Sequence, residues 1–279
     1  MTQPVRASAD WLSLRERADA AARSPLLLDA VRAHVTGRRA ASEHEVARIH
    51  DLGCGTGSMA RWLAGRLPGP QHWVMVDRDA ELLALADENR PQAASDGARV
   101  TVETRRRDIT RLPPQQLEGA WLVTASAVLD MMTADELDGL VAACAAAGCP
   151  VLVALTVTGG VDLTPADPLD ERVRETFNAH QRRDRGGRRL LGPDAARAAS
   201  VALSGRGLEV LARPSPWRLG PDERALAAAW FTGWLGAACE QDPALSEKAG
   251  PYAARRLAQA AAGQLWVTVH HEDLLARPS

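Results

Sequence analysis

The fold can be inferred from one segment near the start of the chain, Ile49-His50-Asp51-Leu52-Gly53-Cys54-Gly55-Thr56-Gly57. Val46 and Ile49 are typical of a buried strand, and the residues after Gly57 can form a helix that ends before Pro68-Gly69. Glycines at alternate positions let the backbone turn tightly and leave space for a ligand to lie against it. The helix that follows points its unpaired N–H groups toward the same place. The stretch therefore predicts a strand, a ligand-binding turn and a helix.

A carboxylate at the end of the next predicted strand indicates which chemical group the ligand contains. Asp77 lies twenty positions after Gly57 and ends the apolar run Trp73-Val74-Met75-Val76. An acid at that position can accept hydrogen bonds from two ribose hydroxyls. The spacing is not the dinucleotide fingerprint G-x-G-x-x-G, because Ser58 occupies the position of the third glycine. We therefore expect a nucleoside-containing cofactor, and Asp51 suits a ligand that also carries an ammonium group.

The pattern acidic-x-G-x-G-x-G from Asp51 to Gly57 resembles motif I of the class I S-adenosylmethionine-dependent methyltransferases. Asp77 is similar to the acid that closes their second strand. Arg107-Asp108-Ile109 resembles their acid and apolar pair beside the adenine, and Leu122 to Asp130 resembles their fourth strand and its loop. The resemblance covers residues 46 to about 157 and implies S-adenosylmethionine as the cofactor. The cofactor-binding residues that it implies are Asp51, Gly53, Cys54, Gly55, Gly57, Asp77, Arg78, Asp108, Ile109, Ala125 and Ser126.

Two of these residues have a simpler alternative role. Arg78 follows the ribose acid, and it either stacks on the adenine or is an ordinary solvated arginine. Asp108 either accepts a hydrogen bond from the adenine amino group or caps a helix that starts near Thr110. Both alternatives stay open at the level of the sequence.

The order of elements predicts an α/β fold. Continuous apolar strands that alternate with helices are typical of a parallel sheet covered on both faces. With the resemblance, this order predicts a three-layer sandwich around a seven-stranded, mostly parallel sheet whose strand 7 is antiparallel. The strands are expected near residues 46–51, 72–77, 98–104, 120–125, 151–157, 207–212 and 264–271. The helices between them are expected near 58–67, 79–89, 134–147, 168–183 and 194–204.

Two helical segments are expected in addition to this core. Residues 1–44 form an N-terminal helical segment, in which Trp11 either lines the site or packs on the domain. Residues 45–279 form a Rossmann-like methyltransferase domain. The family usually joins strands 6 and 7 by a short hairpin, whereas about fifty residues separate them here. A helix-start signature at Pro221 predicts a helical cap insert at about 221–263, which carries the i,i+4 pair Trp230 and Trp234.

Methyl transfer from a sulfonium needs alignment and exclusion of water, and a hydroxyl acceptor also needs a base. Asp130, after the fourth strand, and His180, on an apolar helical face, are the candidate catalytic residues. Their alternatives are a capping role for Asp130 and a packed core position for His180. The acceptor is expected to be a small molecule with an oxygen or nitrogen nucleophile. It is flat if the tryptophans stack on it, or anionic if it binds Arg182, Arg183, Arg185, Arg188 and Arg189.

Composition excludes several classes of partner. A net charge of −2 and a pI of about 6.4 argue against a nucleic-acid or membrane-surface partner. No apolar run approaches the ~20 residues of a membrane span, and Met1 to Ser24 lacks a signal peptide. Four cysteines without a C-x-x-C pair predict a reducing cytoplasm and no zinc site. Arginine is abundant while Lys248 is the single lysine, a bias typical of a high-GC bacterium.

Other interpretations remain beside this one. His270-His271-Glu272-Asp273 suggests a metal site, but neighbouring residues of a strand face opposite sides, so no metal is expected. The arginines near Gly186-Gly187 motivate an RNA or nucleoside methyltransferase of the same fold. A nicotinamide-dependent oxidoreductase and a cofactor-binding protein without methyl transfer are further alternatives.

Overall fold

The computed structural model describes residues 7–42, 45–184 and 186–278, and within these ranges the chain forms nine α-helices and eight β-strands. Some residues named in the sequence analysis lie outside this description. They are residues 1–6 and 43–44 of the N-terminal helical segment, Arg185 of the predicted basic loop, and residue 279. The strands are β1 Ala47–Leu52, β2 Gln71–Asp77, β3 Val100–Arg106, β4 Leu122–Ser126, β5 Val151–Thr164, β6 Leu208–Pro214, β7 Trp217–Leu219 and β8 Trp266–Pro278. The helices are α1 Ala9–Ala22, α2 Pro25–Ala41, α3 Ser58–Ala64, α4 Ala80–Glu88, α5 Ala134–Ala146, α6 Asp170–Gln181, α7 Ala195–Ser204, α8 Arg224–Gln241 and α9 Pro243–Ala261.

The sheet has the order β3-β2-β1-β4-β5-β8-β6. The first five of these strands are parallel, and β8 is antiparallel to both β5 and β6. The α/β fold with one reversed strand is therefore confirmed, with β8 as the predicted strand 7. The eighth strand is β7, which pairs with the start of β8. The sequence analysis missed it because three residues are too few to show a periodicity.

Each face of the sheet has its own core, because successive side chains of a strand point to opposite sides. Leu52 and Val123 contribute to one face, which packs against α5 and α7. Ile49 and Trp73 contribute to the other face, which packs against α2 and α3. These layers are the predicted three-layer sandwich, and they leave the carboxyl ends of β1, β2 and β4 at one edge.

The strands β5 and β8 continue beyond that edge as an antiparallel ribbon. Their pairing shifts register twice, first between Val153 and Thr156 and again between Val157 and Val161. Leu155, at the first shift, has a φ of +56°, which is uncommon for a residue with a side chain. Its N–H donates to Asp273 Oδ1 at 2.8 Å, and the N–H of Ser24 donates to Oδ2 of the same carboxylate at 2.8 Å. One buried side chain thus ties the irregular part of β5 to the start of α2.

The helices α8 and α9 lie between β7 and β8 and share a third core with α6. Phe231, Trp234 and Tyr252 are buried in this core. The guanidinium of Arg256 is buried there as well, paired with Asp170 at the start of α6, and the Tyr252 hydroxyl donates to the same carboxylate at 2.6 Å. Within the described ranges, no helix is both long enough and apolar enough to cross a membrane.

The pair between Asp170 and Arg256 is expected to hold α9 on α6. The Arg256 side chain is 1% exposed and that of Asp170 is 18% exposed, so Asp170→Ala leaves a buried cation without its partner. Such a change costs about 3–5 kcal/mol of unfolding free energy, measured by urea denaturation. Glu171→Ala, the control, removes an exposed pair with Arg174 and is expected to leave the denaturation midpoint nearly unchanged. Equal midpoints for the two variants would contradict the anchoring role of Asp170.

Candidate active site

The glycine turn lies where β1 and β2 end. Gly53, Gly55 and Gly57 all have positive φ angles, of 67°, 54° and 82°, which residues with a Cβ rarely adopt. The Gly53 N–H donates to the carbonyl of Val76 at 2.8 Å, and the Gly55 N–H donates to Asp77 Oδ2 at 2.9 Å. The turn is therefore fixed to the end of β2 by its backbone, and Asp77 lies directly beside it.

Gly53 packs closely against apolar side chains. A Cβ atom on Gly53 would lie 2.8 Å from Val128 Cγ1 and 3.3 Å from Ile109 Cδ1. A side chain at this position would therefore collide with both, so only glycine fits between them. Ile109 thus lies beside the glycine turn, as expected for a residue next to the adenine of the implied cofactor.

Asp108 caps a short helix and Arg78 is exposed, which are the simpler roles considered for them above. Asp108 Oδ1 accepts hydrogen bonds from the N–H of Thr110 at 3.0 Å and from its hydroxyl at 2.8 Å, so it caps the short 3-10 helix Ile109–Arg111. Arg78 is exposed, and its carbonyl accepts from Arg106 Nε at 3.1 Å. The adenine contacts of both residues stay predictions.

Asp51 is a buried carboxylate of which only one oxygen has a hydrogen-bond partner. Its side chain lies at the end of β1, where Oδ1 accepts from the hydroxyl of Thr124 at 2.8 Å. The other oxygen, Oδ2, is buried without a hydrogen-bond partner. Burial raises the pKa of Asp51 to about 6. A buried carboxylate with a free oxygen favours a ligand that brings a cation to it.

Arg23, between α1 and α2, is a site residue that the sequence analysis missed. It is 4% exposed, and its Nη2 donates to the hydroxyl of Ser58 at 3.1 Å, next to the glycine turn. Its Nε and Nη1 are buried without partners. Burial lowers the pKa of Arg23, while the carboxylates of Asp19 and Asp51 act in the opposite direction. No motif marks this position, because only the packing of the N-terminal helices on the turn brings it here.

A cavity of about 130 Å³ lies beyond the carboxyl end of β4 and against the irregular part of β5. Ala127, which directly follows the predicted cofactor segment Ala125-Ser126, forms part of its wall. Trp11 of α1 forms another part, and its neighbour Leu12 lies 3.1 Å from the position of a Cβ on Gly55. Trp11 also packs against the core that contains Trp217, so it lines the cavity and packs on the domain at the same time. The aromatic side chains in the wall are Trp11, Phe177, Trp217, Trp230 and Trp234.

The structure separates the two candidate bases. Asp130 lines the cavity, and burial raises the pKa of its carboxyl to about 6. His180 is not part of the cavity wall. Its ring is buried, and Nε2 pairs with Glu240 of α8 at 3.1 Å. His180 therefore occupies the packed position that was its alternative, away from the cavity.

Arginines of the loop that follows α6, and His270 of the histidine pair, form ion pairs with carboxylates of the protein. Arg182 pairs with Asp194 and Arg188 pairs with Glu136. His270 Nε2 pairs with Asp162 Oδ2 at 2.7 Å, and both His270 and the buried His271 line the cavity. In the part of the chain that the structure describes, no group of three His, Cys, Asp or Glu side chains is placed to hold a metal ion.

A protein-family model described as "Methyltransferase domain" matches residues 49–150. This range begins within β1, contains the glycine turn, Asp77 and Asp130, and ends just before β5. No curated protein matches the sequence at a significant level.

Several solved structures are similar to this chain at low sequence identity. A SAM-dependent methyltransferase from Methanosarcina mazei is 11% identical, with a TM-score of 0.46 over 84% of this chain and 93% of that one. Magnesium protoporphyrin IX methyltransferase from Synechocystis PCC 6803, with bound SAH, is 14% identical, with a TM-score of 0.40 over 75% of this chain and 88% of that one. A mycolic acid cyclopropane synthase, complexed with SAH and CTAB, is 12% identical, with a TM-score of 0.44 over 83% of this chain and 78% of that one.

Asp77 is expected to bind the ribose of the implied cofactor. Asp77→Ala should weaken the binding of S-adenosylmethionine by about 10- to 100-fold in calorimetry, because hydrogen bonds to two hydroxyls are lost. Asp96→Ala is the matched control, since Asp96 also accepts from two backbone N–H groups, those of Gly69 and Ala98, at the opposite edge of the sheet. Unchanged affinity in Asp77→Ala, or an equal loss in Asp96→Ala, would reject the ribose contact.

Cofactor affinity is also expected to follow the ionisation of Asp51. Because burial raises the pKa of Asp51 to about 6, its carboxyl is neutral at lower pH and cannot pair with an ammonium group. The association constant for S-adenosylmethionine should fall about tenfold per pH unit below about pH 6 and stay level up to about pH 7.5. Calorimetric titrations across this range measure the slope. Asp51→Asn should bind weakly at every pH, and a slope that survives in this variant would assign it to another group.

Proposed function

We propose that this chain, a class I S-adenosylmethionine-dependent methyltransferase whose methyltransferase domain matches over residues 49–150, methylates an oxygen or nitrogen of a small-molecule acceptor. S-adenosylmethionine is its cofactor. The observation that carries the proposal is the cavity of about 130 Å³ that starts directly after β4 and contains the Asp130 carboxylate. A cavity of this size suits a small molecule rather than a polymer chain.

The residues beside the glycine turn fit the cofactor. Asp51 Oδ2 is a buried acceptor without a partner, and Arg23 Nε and Nη1 are buried donors without partners. An amino-acid group carries one ammonium and one carboxylate, so we assign the ammonium to Asp51 and the carboxylate to Arg23. Asp77 is assigned to the ribose hydroxyls, and Asp108 and Ile109, which packs beside Gly53, are assigned to the adenine. When bound, the cofactor supplies a methyl group that is activated by a positively charged sulfur.

Asp130 is proposed as the general base. Burial raises the pKa of its carboxyl to about 6, so the group is ionised at neutral pH and more basic than a solvated aspartate. It accepts the proton that a hydroxyl acceptor loses as its oxygen gains the methyl group, or the proton that a neutral amine acceptor loses after its nitrogen has gained the methyl group. The aromatic walls exclude water from this step, which strengthens the interaction between the carboxylate and the proton that it receives.

The helical insert at about 221–263 is proposed as a cap over the acceptor. Trp230 and Trp234 of α8 lie in the cavity wall opposite the end of β4, which supports this role. The alternative of an RNA acceptor gains no support from the arginines of the loop, since Arg182 and Arg188 pair with carboxylates of the chain itself. The four cysteines are free, which supports a cytoplasmic location.

The proposed activity is tested by incubating the protein with S-adenosylmethionine and a panel of phenols, hydroxylated heteroarenes, amines and short RNAs. Formation of S-adenosylhomocysteine and of the methylated product is measured by mass spectrometry. Turnover of one or more small molecules above the protein-free blank is expected. Turnover with RNA alone would overturn the proposed acceptor class.

Asp130→Asn is expected to lower kcat by about 10²- to 10⁴-fold with an acceptor from this panel, since the base is lost. Its cofactor affinity should stay within a few fold of that of the wild type. The wild-type kcat/KM should rise with pH up to about 6 and then level off, because the carboxylate must be ionised. The rise of kcat/KM with pH should be absent in Asp130→Asn.

His180→Gln is the matched control for Asp130→Asn. His180 lies outside the cavity wall, so its kcat and pH profile should match those of the wild type. A loss of kcat in His180→Gln with an active Asp130→Asn would reverse the assignment of the base.

A further inference from the structure

We infer that the acceptor is a planar, monocyclic aromatic molecule that presents at least two N–H or O–H donors at its edge and carries no negative charge. This inference rests on the proposed function and names the substrate class of the same site. Three properties of the cavity lead to it: aromatic walls, buried acceptor atoms without partners, and the balance of charge.

The aromatic walls set the shape of the acceptor. Trp230 and Trp234 are stacked, with ring centroids 5.2 Å apart and an angle of 19° between their planes. Trp234 is buried, whereas Trp230 is half-buried and lines the cavity. A flat aromatic ring gains most from stacking on such a surface. The volume of about 130 Å³ is of the size that holds a single ring, since an engineered cavity of about 150 Å³ binds benzene.

Two amide side chains of α6 offer acceptors without donors. Asn178 and Gln181 lie three positions apart, on one face of the helix, and both line the cavity. Asn178 Nδ2 donates to the carbonyl of Gly159 at 3.0 Å, which fixes the orientation of the amide, because a carbonyl only accepts. Asn178 Oδ1 and Gln181 Oε1 are then left buried without partners. A ligand that brings N–H or O–H groups would satisfy them.

His271 adds a further buried polar atom without a partner. Its side chain is 5% exposed, lines the cavity and packs against Trp217, with ring centroids 5.2 Å apart. Burial lowers the pKa of His271 to about 3, so the ring is neutral, with one nitrogen a donor and the other an acceptor. Its Nδ1 is buried without a partner, as is the donor Trp234 Nε1 in the same wall. The two amide oxygens and the Asp130 carboxylate outnumber that donor, so the cavity presents more acceptor than donor atoms to its ligand.

The charges of the wall argue against an anionic acceptor. Asp130 is ionised at neutral pH, and a second negative charge beside it would be repelled. Arg15 lies in the wall, where its Nε donates to both oxygens of Asp19, at 3.1 and 2.9 Å, and its guanidinium covers the ring of Trp217 at 4.9 Å. Burial raises the pKa of Asp130 and the charge of Arg15 acts against that rise, so this arginine already faces two carboxylates of the protein. Of the two acceptor types that the sequence left open, the flat one fits the cavity and the anionic one does not.

The geometry assigns different tasks to the two donors of the acceptor. One hydroxyl or amine lies at Asp130, where it loses its proton and gains the methyl group. The second donates to the amide oxygens of Asn178 and Gln181 and orients the ring. A molecule with a single donor would leave one group of buried acceptors unsatisfied, and it is expected to bind more weakly.

Binding is tested by calorimetry on the full chain saturated with S-adenosylhomocysteine, so that turnover plays no part. The probes are resorcinol and 3-aminophenol, which have two donors, 1,3-dimethoxybenzene, which has none, cyclohexane-1,3-diol, which is not flat, and benzoate, which is anionic. The two-donor arenes should bind at least about tenfold more tightly than the other three. Equal affinities across the panel, tighter binding of benzoate or the diol, or no binding of any probe would overturn the inference.

Three variants assign the affinity to particular side chains. Gln181→Met and Asn178→Leu keep the approximate volume and remove the orphan acceptors, so they should weaken resorcinol about three- to tenfold and leave 1,3-dimethoxybenzene unchanged. Trp230→Ala should weaken every arene in the panel, with recovery in Trp230→Phe. The control is Trp266→Ala, an exposed tryptophan outside the cavity wall. Equal losses for both arenes in Gln181→Met would also overturn the inference.

The same probes in the methyl-transfer assay separate the two claims. Tight binding of the two-donor arenes without formation of S-adenosylhomocysteine would support the ligand class and contradict the proposed function. Formation of S-adenosylhomocysteine only with non-planar or anionic acceptors would support the function and overturn the inference.

Discussion

The hydrogen bonds to the buried carboxylate of Asp273 determine the shape of the site. This one side chain, in the middle of β8, accepts from the N–H of Leu155 and from that of Ser24, both at 2.8 Å. Burial raises the pKa of Asp273, and its two backbone donors act against that shift. An unmade bond to a buried N–H is costly, so the bend of β5 and the start of α2 are held in a fixed relation to the sheet.

The position of β5 and α2 relative to the sheet also sets where the other walls of the cavity lie. Beyond Leu155, β5 and β8 leave the parallel sheet as a ribbon, and α6 and α9 join its far end. The helices α6, α8 and α9 then share one core, in which Arg256 and Asp170 are paired. Ser24 caps α2 and follows α1, so the same carboxylate brings Trp11 and Arg23 over the glycine turn. The acceptor cavity is the space left between these parts.

The site holds buried polar atoms that the protein itself leaves unsatisfied. Beside the turn these are Asp51 Oδ2 and two nitrogens of Arg23, and in the cavity they include the amide oxygens of Asn178 and Gln181. Each such group costs stability until a ligand provides its partner. The two sets differ in chemistry, because the first consists of opposite charges and the second mainly of neutral acceptors, with Trp234 Nε1 as a donor among them. This difference is the basis on which the cofactor and the acceptor are assigned to different ends of the site in the proposed function.

Local patterns in the sequence were enough to predict the parallel core and the position of the glycine turn. The strand expected at 72–77 is Gln71–Asp77, and the glycine spacing together with Asp77 located the turn. Only the tertiary structure decided the roles of Arg23, His180 and His271. Their surroundings come from contacts between distant parts of the chain, such as the bond between Ser24 and Asp273 across 249 positions. Periodicity reports which face of an element is buried, but burial and pairing of a given polar atom depend on the elements that pack against it.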